Sequence, residues 1–302
     1  MDFQNNMWVI KNKKIFLLLS SLFVLGALVL VFLDGLKFGI EFTGGSLSEV
    51  SYIDQRPETS EIRTVVEPLS LGEFLVQPTG ENGVFLKTRS LTENERVSLM
   101  KALSFDGQKP IEEKAFTSIG PSVGKELKSK STIAIIVVVL AIILFIAYTF
   151  RRVSKPVSSW KYGIIAVITL FHDVIIATGA FAVMGKLFGA EVDTLFVVAI
   201  LTILGLSVND TIVVFDRIRE NLTNKFSSDF KEVVGKSLDE TYARSINTSL
   251  STVIVLLALF FLGPESTKVF SMTMAIGMFF GTYSSIFLAS PLLVLSEEMQ
   301  DK

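Results

Sequence analysis

The sequence predicts a polytopic α-helical membrane protein with one small α+β domain inserted between its first and second spans. Half of its residues are apolar and only 19% are charged, against about 25% in soluble domains, and the mean hydropathy is +0.54. The apolar residues gather into six runs, close to the ~20 residues that cross a bilayer. Between the first two runs the chain turns mixed and polar, with strand-like and helix-like patterns in alternation.

Composition also excludes whole classes. A net charge of −2 gives no footprint for nucleic acid. Zero cysteines remove disulfides, thiol catalysis and cysteine metal sites. A single histidine argues equally against a histidine zinc site. No catalytic residue, metal or cofactor is expected, and the chain does not read as an enzyme.

Lys11, Lys13 and Lys14 precede the first run, Ile15 to Leu33. It is longer than the ~7–15 residue core of a signal peptide and no small-x-small cleavage site follows, so residues 1–37 read as a cytoplasmic N-terminus and a retained first helix. Residues 38–130 follow as the α+β domain. Strand alternation appears at Ser46–Ile53, Phe74–Gln77, Val84–Thr88 and Ile111–Ile119, bounded by Gly44-Gly45, Pro57, Gly80-Glu81-Asn82-Gly83 and Gly107. Ile62, Val65, Val66 and Leu69 keep helical spacing, and Thr92-Glu93-Asn94-Glu95 is a capping box opening a second helix. Strand, helix, strand, strand, helix, strand is the ferredoxin-like order.

Residues 131–302 hold the other five runs: Thr132–Phe150, Gly163–Met184, Val192–Phe215, Ile246–Leu262 and Val269–Leu295. Arg151, Arg152, Lys155 and Lys161 fall in one connection, and Arg217, Arg219, Lys225, Lys231, Lys236 and Arg244 in another, while the alternate short loops carry only Lys186 and Lys268. Basic residues collect on the cytoplasmic side, so both termini are expected inside and the α+β domain outside. Trp160 and Tyr162 stand where interfacial belt aromatics belong. Within the cytoplasmic segment 227–243, Phe230, Val233, Val234, Leu238 and Tyr242 form an apolar stripe. Two readings stay open for it: an amphipathic helix lying in the interface, or one packed on the cytoplasmic ends of the bundle.

The polar groups inside the spans are the candidate functional residues. Asp210 sits in the fourth run, where a carboxylate costs ~2.5–3.5 kcal/mol, and Ser207, Asp210, Val214 and Arg217 share its helix face. Arg244 opens the fifth run on one face with Asn247, Thr248 and Ser251, at the end an antiparallel hairpin brings near Asp210. An Asp210–Arg244 pair has two readings, a switchable proton site or a static pair that fixes helix register. The third run carries His172-Asp173 near its middle, and Asp173 shares a face with Ala166, Ala177 and Ala180. This pair has two readings as well. It reads either as part of a proton path or as helix packing, with the packing reading favoured because neighbouring residues point ~100° apart on a helix. Gly277 and Gly281 form a GxxxG packing pattern continued by Ser284 and Ser285.

Taken together, these stretches resemble the SecD/SecF family of protein-export membrane proteins. Asn209-Asp210-Thr211-Ile212-Val213-Val214-Phe215-Asp216-Arg217-Ile218-Arg219-Glu220-Asn221 is similar to the family's fourth-helix signature. Gly39 to Gly45, Ile119 to Gly124, Phe171 to Ile175 and Arg244 to Leu250 match further motifs in order. Glu41 stands where the family usually has Asp, and Ser245 where Thr is more frequent.

The resemblance implies six helices forming half of a resistance-nodulation-division-like bundle, completed by SecD as a parallel repeat. It further implies association with the SecYEG channel, and with YajC and YidC in many bacteria. The pair would use the proton gradient to promote late translocation of polypeptide substrates after SecA's step, in the bacterial cytoplasmic (inner) membrane. Asp210 and Arg244 take the proton-pathway role by this match; His172, Asp173 and Asn209 stay open between proton pathway and packing. The rival classes are half of a proton-coupled small-molecule exporter and a structural scaffold without transport.

Overall fold

A computed structural model describes residues 7–150 and 157–299; Arg151, Arg152 and Lys155 of the basic connection lie outside the described residues. The chain divides into two compact units, residues 38–133 and residues 1–37 with 134–302.

In the first unit, α3 (Ile40–Thr43) leads into β1 (Gly45–Tyr52), followed by α4 (Thr59–Val66), β2 (Leu75–Thr79), β3 (Gly83–Thr88), α5 (Glu93–Leu103) and β4 (Ile111–Ile119). The sheet order is β2-β3-β1-β4, and every neighbouring pair is antiparallel, which is the ferredoxin-like topology the sequence predicts. Alternation places Val50, Tyr52, Val84 and Leu86 on the covered face, against Ile62 and Val66 of α4 and Leu99 and Leu103 of α5. Pro78 lies in β2, an edge strand, where its missing N–H breaks no interior ladder. The box at Thr92 closes as read: Thr92 N–H donates to Glu95 Oε2 at 2.8 Å, and Glu95 N–H returns to Thr92 Oγ1 at 3.4 Å. The ion pair with Arg89, followed by the Thr92 bonds, lowers the Glu95 carboxyl to about 2.

Two motifs far apart in sequence meet here. Gly44 adopts φ +78, and a Cβ there would stand 2.8 Å from Pro121 Cα; one on Gly124 would stand 2.8 Å from the Gly44 nitrogen. The Gly39–Gly45 and Ile119–Gly124 segments therefore close on each other at backbone distance, which only glycine permits.

The second unit is helical. The short α1 (Met7–Lys11) precedes α2 (Lys13–Asp34), and α6 (Pro121–Thr149), α7 (Ser159–Phe188), α8 (Thr194–Thr223), α9 (Phe230–Leu262) and α10 (Glu265–Ser284) follow. A π-helical turn, Ser285–Ala289, joins α10 to α11 (Ser290–Glu298) in one span. Among the described residues six helices are long and apolar enough to cross a membrane. The π turn has a local cause: Pro291 has no N–H to offer the carbonyl four residues back and its ring crowds it. Spans α7, α8 and α10–α11 bury the largest shares of their surface, whereas α2, α6 and α9 are mostly outward-facing.

One sequence expectation is corrected, and one choice between two readings is decided. Tyr162 is fully buried, stacked on Phe150 at 5.4 Å and edge-on to Phe215 at 5.2 Å; the exposed belt-type aromatic is its neighbour Trp160. The amphipathic segment 227–243 is no separate interfacial helix, because α9 runs unbroken from Phe230 to Leu262. Phe230, Val233, Val234 and Leu238 of its stripe are buried in the bundle core. Apolar surface offered by the neighbouring helices settles between the two readings in favour of packing.

The closest backbone approach between two spans at a glycine, among the described residues, is one the small-residue pattern did not single out. A Cβ on Gly179 of α7 would lie 2.6 Å from Ala27 Cβ and 2.7 Å from Ala27 Cα of α2. Backbone stands in the way, so Gly179→Ala must push α2 outward. Overpacking of this kind costs about 1–3 kcal/mol, whereas nothing lies within 4 Å of a Cβ at Gly26. Denaturant titration in detergent should show lowered stability for Gly179→Ala and little change for Gly26→Ala; equal midpoints for the two would refute the close-contact assignment.

Candidate functional site

Within the bundle a group of buried small hydroxyls gathers around two carboxylates. Asp210 on α8 is 7% exposed. Its Oδ2 accepts from Thr282 Oγ1 of α10 at 2.7 Å, and Ser249 Oγ of α9, 3.5 Å from the same oxygen, has one hydrogen to give either to it or to the Thr282 hydroxyl beside it. Asp173 on α7 is 0% exposed. Its Oδ2 accepts from Ser207 Oγ at 2.5 Å and Ser284 Oγ at 2.8 Å, and its Oδ1 is 2.8 Å from His172 Nδ1. Thr211 Oγ1 and Ser285 Oγ, 2.9 Å apart, join α8 to the π turn.

The local reason for the cluster is spacing. Ser207, Asp210 and Thr211 occupy adjacent turns of the inward face of α8, all buried. Thr282, Ser284 and Ser285 sit where α10 meets the π turn and fan toward α8 and α7. Glycine permits the approach: a Cβ on Gly281 would be 3.2 Å from Ser207 Cβ, and one on Gly277 would be 2.3 Å from Ile203 Cδ1. Both glycines of the GxxxG pattern face α8 of the same chain.

Arg244 is placed differently from the sequence expectation. Arg244, Asn247, Thr248 and Ser251 are all exposed, as is Asn209 on α8. Among the described residues Arg244 forms no ion pair with Asp210, although it lies within electrostatic reach of it. The face of α9 that packs inward is one residue out of phase, carrying Thr241, Ser245 and Ser249. Serine and threonine allow close approach and bond across helices, whereas a guanidinium on that face would need a buried counter-charge. Arg217, the last member of the predicted α8 face, binds Glu240 and Glu220, each at 2.6 Å.

His172 and Asp173 do not diverge as adjacent helical positions are expected to. Imidazole Nδ1 lies close to its own backbone, and the ring swings onto the neighbouring carboxylate. Ser249 and Thr282 are the site residues the sequence did not disclose. Serine and threonine recur in every span, and only helix phase tells which of them reach a carboxylate.

Chemically, hydroxyls are well matched to a carboxyl group that changes protonation. A hydroxyl donates to a carboxylate and rotates to accept from a carboxylic acid, so both forms remain hydrogen-bonded without any heavy atom moving. Fixed cations would favour one form only.

A six-span bundle with carboxylates at mid-span, joined to a ferredoxin-like domain after its first helix, defines a polytopic membrane protein of resistance-nodulation-division-like architecture. The family model "Protein export membrane protein SecD/SecF, C-terminal" matches residues 100–299. Protein translocase subunit SecF of Thermobaculum terrenum is 40% identical over 299 residues, spanning 95% of this chain and 92% of that one. The SecF of Synechocystis sp. is 33% identical, spanning 94% and 90%. The chain belongs to the SecD/SecF family. Among solved structures, SecDF from Thermus thermophilus, described as a translocon-associated membrane protein, superposes with a TM-score of 0.81 at 28% identity, covering 97% of this chain. SecDF in a super-membrane-facing form gives 0.65 at 30% identity and covers 98%. This chain spans only 38% and 39% of those two longer chains.

The hydroxyl shell is testable apart from any activity. Thr282→Val keeps the shape of the side chain but takes the 2.7 Å donor from Asp210. Loss of a buried bond to a carboxyl group costs about 1–3 kcal/mol. Stability in detergent should fall by that amount in Thr282→Val and recover largely in Thr282→Ser; a Thr282→Val chain as stable as the parent would remove this bond from the shell.

Proposed function

We propose that the chain is a translocase subunit that works with SecD and uses the proton motive force to promote late steps of protein export through SecYEG, after SecA-driven translocation. It resides in the bacterial cytoplasmic membrane with both termini inside, and YajC and YidC join the assembly. The observation that carries the proton-coupled reading is Asp210, a buried carboxyl group near the middle of α8 whose bonded partners are hydroxyls of two other helices. Asp210 takes up and releases the proton, and Arg244 biases its charge state from beyond contact distance.

The need for SecD is supported by the outward face of α8 and α9. Arg244, Asn247, Thr248, Ser251 and Asn209 are exposed in this chain. A guanidinium facing lipid at the head of an apolar span is costly, and a second helical subunit would cover it. The lengths agree: SecDF is a longer chain of which this one matches 38%.

Asp210→Asn preserves size and hydrogen bonding but cannot exchange a proton at working pH. In vesicles carrying the reconstituted SecD-containing complex with SecYEG and SecA, it should abolish gradient-dependent stimulation of export while leaving SecA-driven insertion and complex assembly intact. Arg244→Lys keeps the charge and loses the planar fork, so it should impair export partly and Arg244→Ala more. A static structural role predicts instead that Asp210→Asn chiefly weakens the bundle and that Asp210→Asn with Arg244→Gln regains function. An assembled Asp210→Asn complex with undiminished gradient-dependent export would end the proton-carrier reading.

Topology is open to a separate check on a chain without native cysteine. A cysteine at position 81 should react with an impermeant thiol reagent in intact spheroplasts, and one at position 228 only after lysis. The reverse pattern would invert the orientation.

A further inference from the structure

The proton-coupled reading uses Asp210 and leaves a second buried carboxylate unemployed. Asp173 has no exposed surface, and its neighbours supply more donors than packing alone requires. Ser207 and Ser284 both donate to Oδ2, and His172 Nδ1 lies against Oδ1. The other imidazole nitrogen, Nε2, is buried and has no hydrogen-bond partner among the described residues. The imidazole ring stacks on Tyr283 of α10 at 6.2 Å, whose hydroxyl receives Ser20 of α2 at 3.3 Å.

Counting protons shows what the pair can do. With Asp173 ionised and Nδ1 carrying the ring proton, all three donors are used, the imidazole is neutral and Nε2 presents a bare lone pair. That state leaves one net negative charge in a fully buried site. One proton added at Nε2 makes an imidazolium–carboxylate pair with no net charge, so uptake removes the uncompensated charge that burial penalises. The surrounding helices offer few competing groups. Between Ile15 and Leu33 α2 carries no ionisable residue; α10 with the π turn and α11 brings only Tyr283 between Val269 and Ser296; and α8 brings only Asp210 between Thr194 and Phe215.

We infer that His172 and Asp173 form a second proton-binding site of the bundle, with Nε2 of His172 as the acceptor and Asp173 as its built-in counter-charge. The two sites share their supports. α8 supplies Asp210 itself and, one turn earlier, the Ser207 donor to Asp173; α10 supplies Thr282 to Asp210 and Ser284 to Asp173. A shift of α10 that parts Thr282 from Asp210 also disturbs Ser284 on Asp173, so proton occupancy at one site alters affinity at the other. The use of this second proton in export rests on the reading proposed above; the binding of it does not.

His172 is the chain's only histidine, which makes the test direct. The full chain, isotope-labelled at histidine nitrogen and purified without a histidine tag, is reconstituted in lipid nanodiscs and followed by nitrogen NMR from about pH 5 to pH 8, where imidazole titrates. The expected result is a change from a neutral ring protonated at Nδ1 to an imidazolium within that range. Asp173→Asn removes the counter-charge and should lower the midpoint by at least about one pH unit, a tenfold loss of proton affinity. Asp210→Asn should move the midpoint measurably without abolishing the transition. A ring that stays in one neutral tautomer across the range overturns the proposal on the parent chain alone, whether or not the variants fold. An Asp173→Asn chain with an unmoved midpoint overturns the counter-charge, and an unmoved midpoint in Asp210→Asn overturns the coupling. Failure of the export reading, seen as undiminished gradient-dependent export by Asp210→Asn, leaves this titration standing, so the two are told apart.

Discussion

The bundle is organised by one constraint: a carboxylate withdrawn from water must be hydrogen-bonded by whatever surrounds it. Asp173 and Asp210 are separated from solvent by helices rather than by loops, and helices can offer only side chains, since their backbone groups are already used. Besides His172, the donors are the hydroxyls of Ser207, Ser249, Thr282 and Ser284. These are short side chains, so the backbones that carry them must come close. That requirement places Gly281 against Ser207 and Gly277 against Ile203, and it makes the polar centre and the close packing of α8 with α10 a single feature.

The same constraint explains the asymmetry of the fifth span. Its inward face carries Thr241, Ser245 and Ser249, and its outward face carries Arg244, Asn247 and Thr248. Hydroxyls serve a closely packed interior, while a guanidinium there would hold the helices apart and demand a buried anion. The charge is therefore kept on the outward face, the face proposed above to be covered by SecD.

Much of this was legible in the sequence where a local rule decides the outcome. The four strands, the Thr92 cap and the spans follow from alternation, capping chemistry and apolar length. Asp210 and Asp173 stood out because a charge in an apolar run has few explanations. What stayed hidden was helix phase, which neighbours decide. Arg244 and Ser245 are adjacent, and nothing in either residue type says which faces the bundle. The stripe at Phe230–Leu238 fitted both an interface and a core until packing partners were present. Tyr162 had the composition of a belt aromatic, yet Phe150 and Phe215 form a closed aromatic nest around it.

The π turn at Ser285–Ala289 carries a mechanical consequence. Such a turn holds one residue more than the α-helix it interrupts, so it is a length of slack within an otherwise stiff rod. Taking up that slack would advance one half of the sixth span against the other by about 1.5 Å and turn it by about 100°. The far end is moored, since Glu298 holds Lys13 at 2.5 Å and Lys231 at 2.9 Å, and the near end is held through Ser284 and Ser285 to Asp173 and Thr211. Both halves of the span are thus tied on either side of that slack, so a one-residue shift of either half would have to break the bonds to Asp173 and Thr211 or the ion pairs of Glu298.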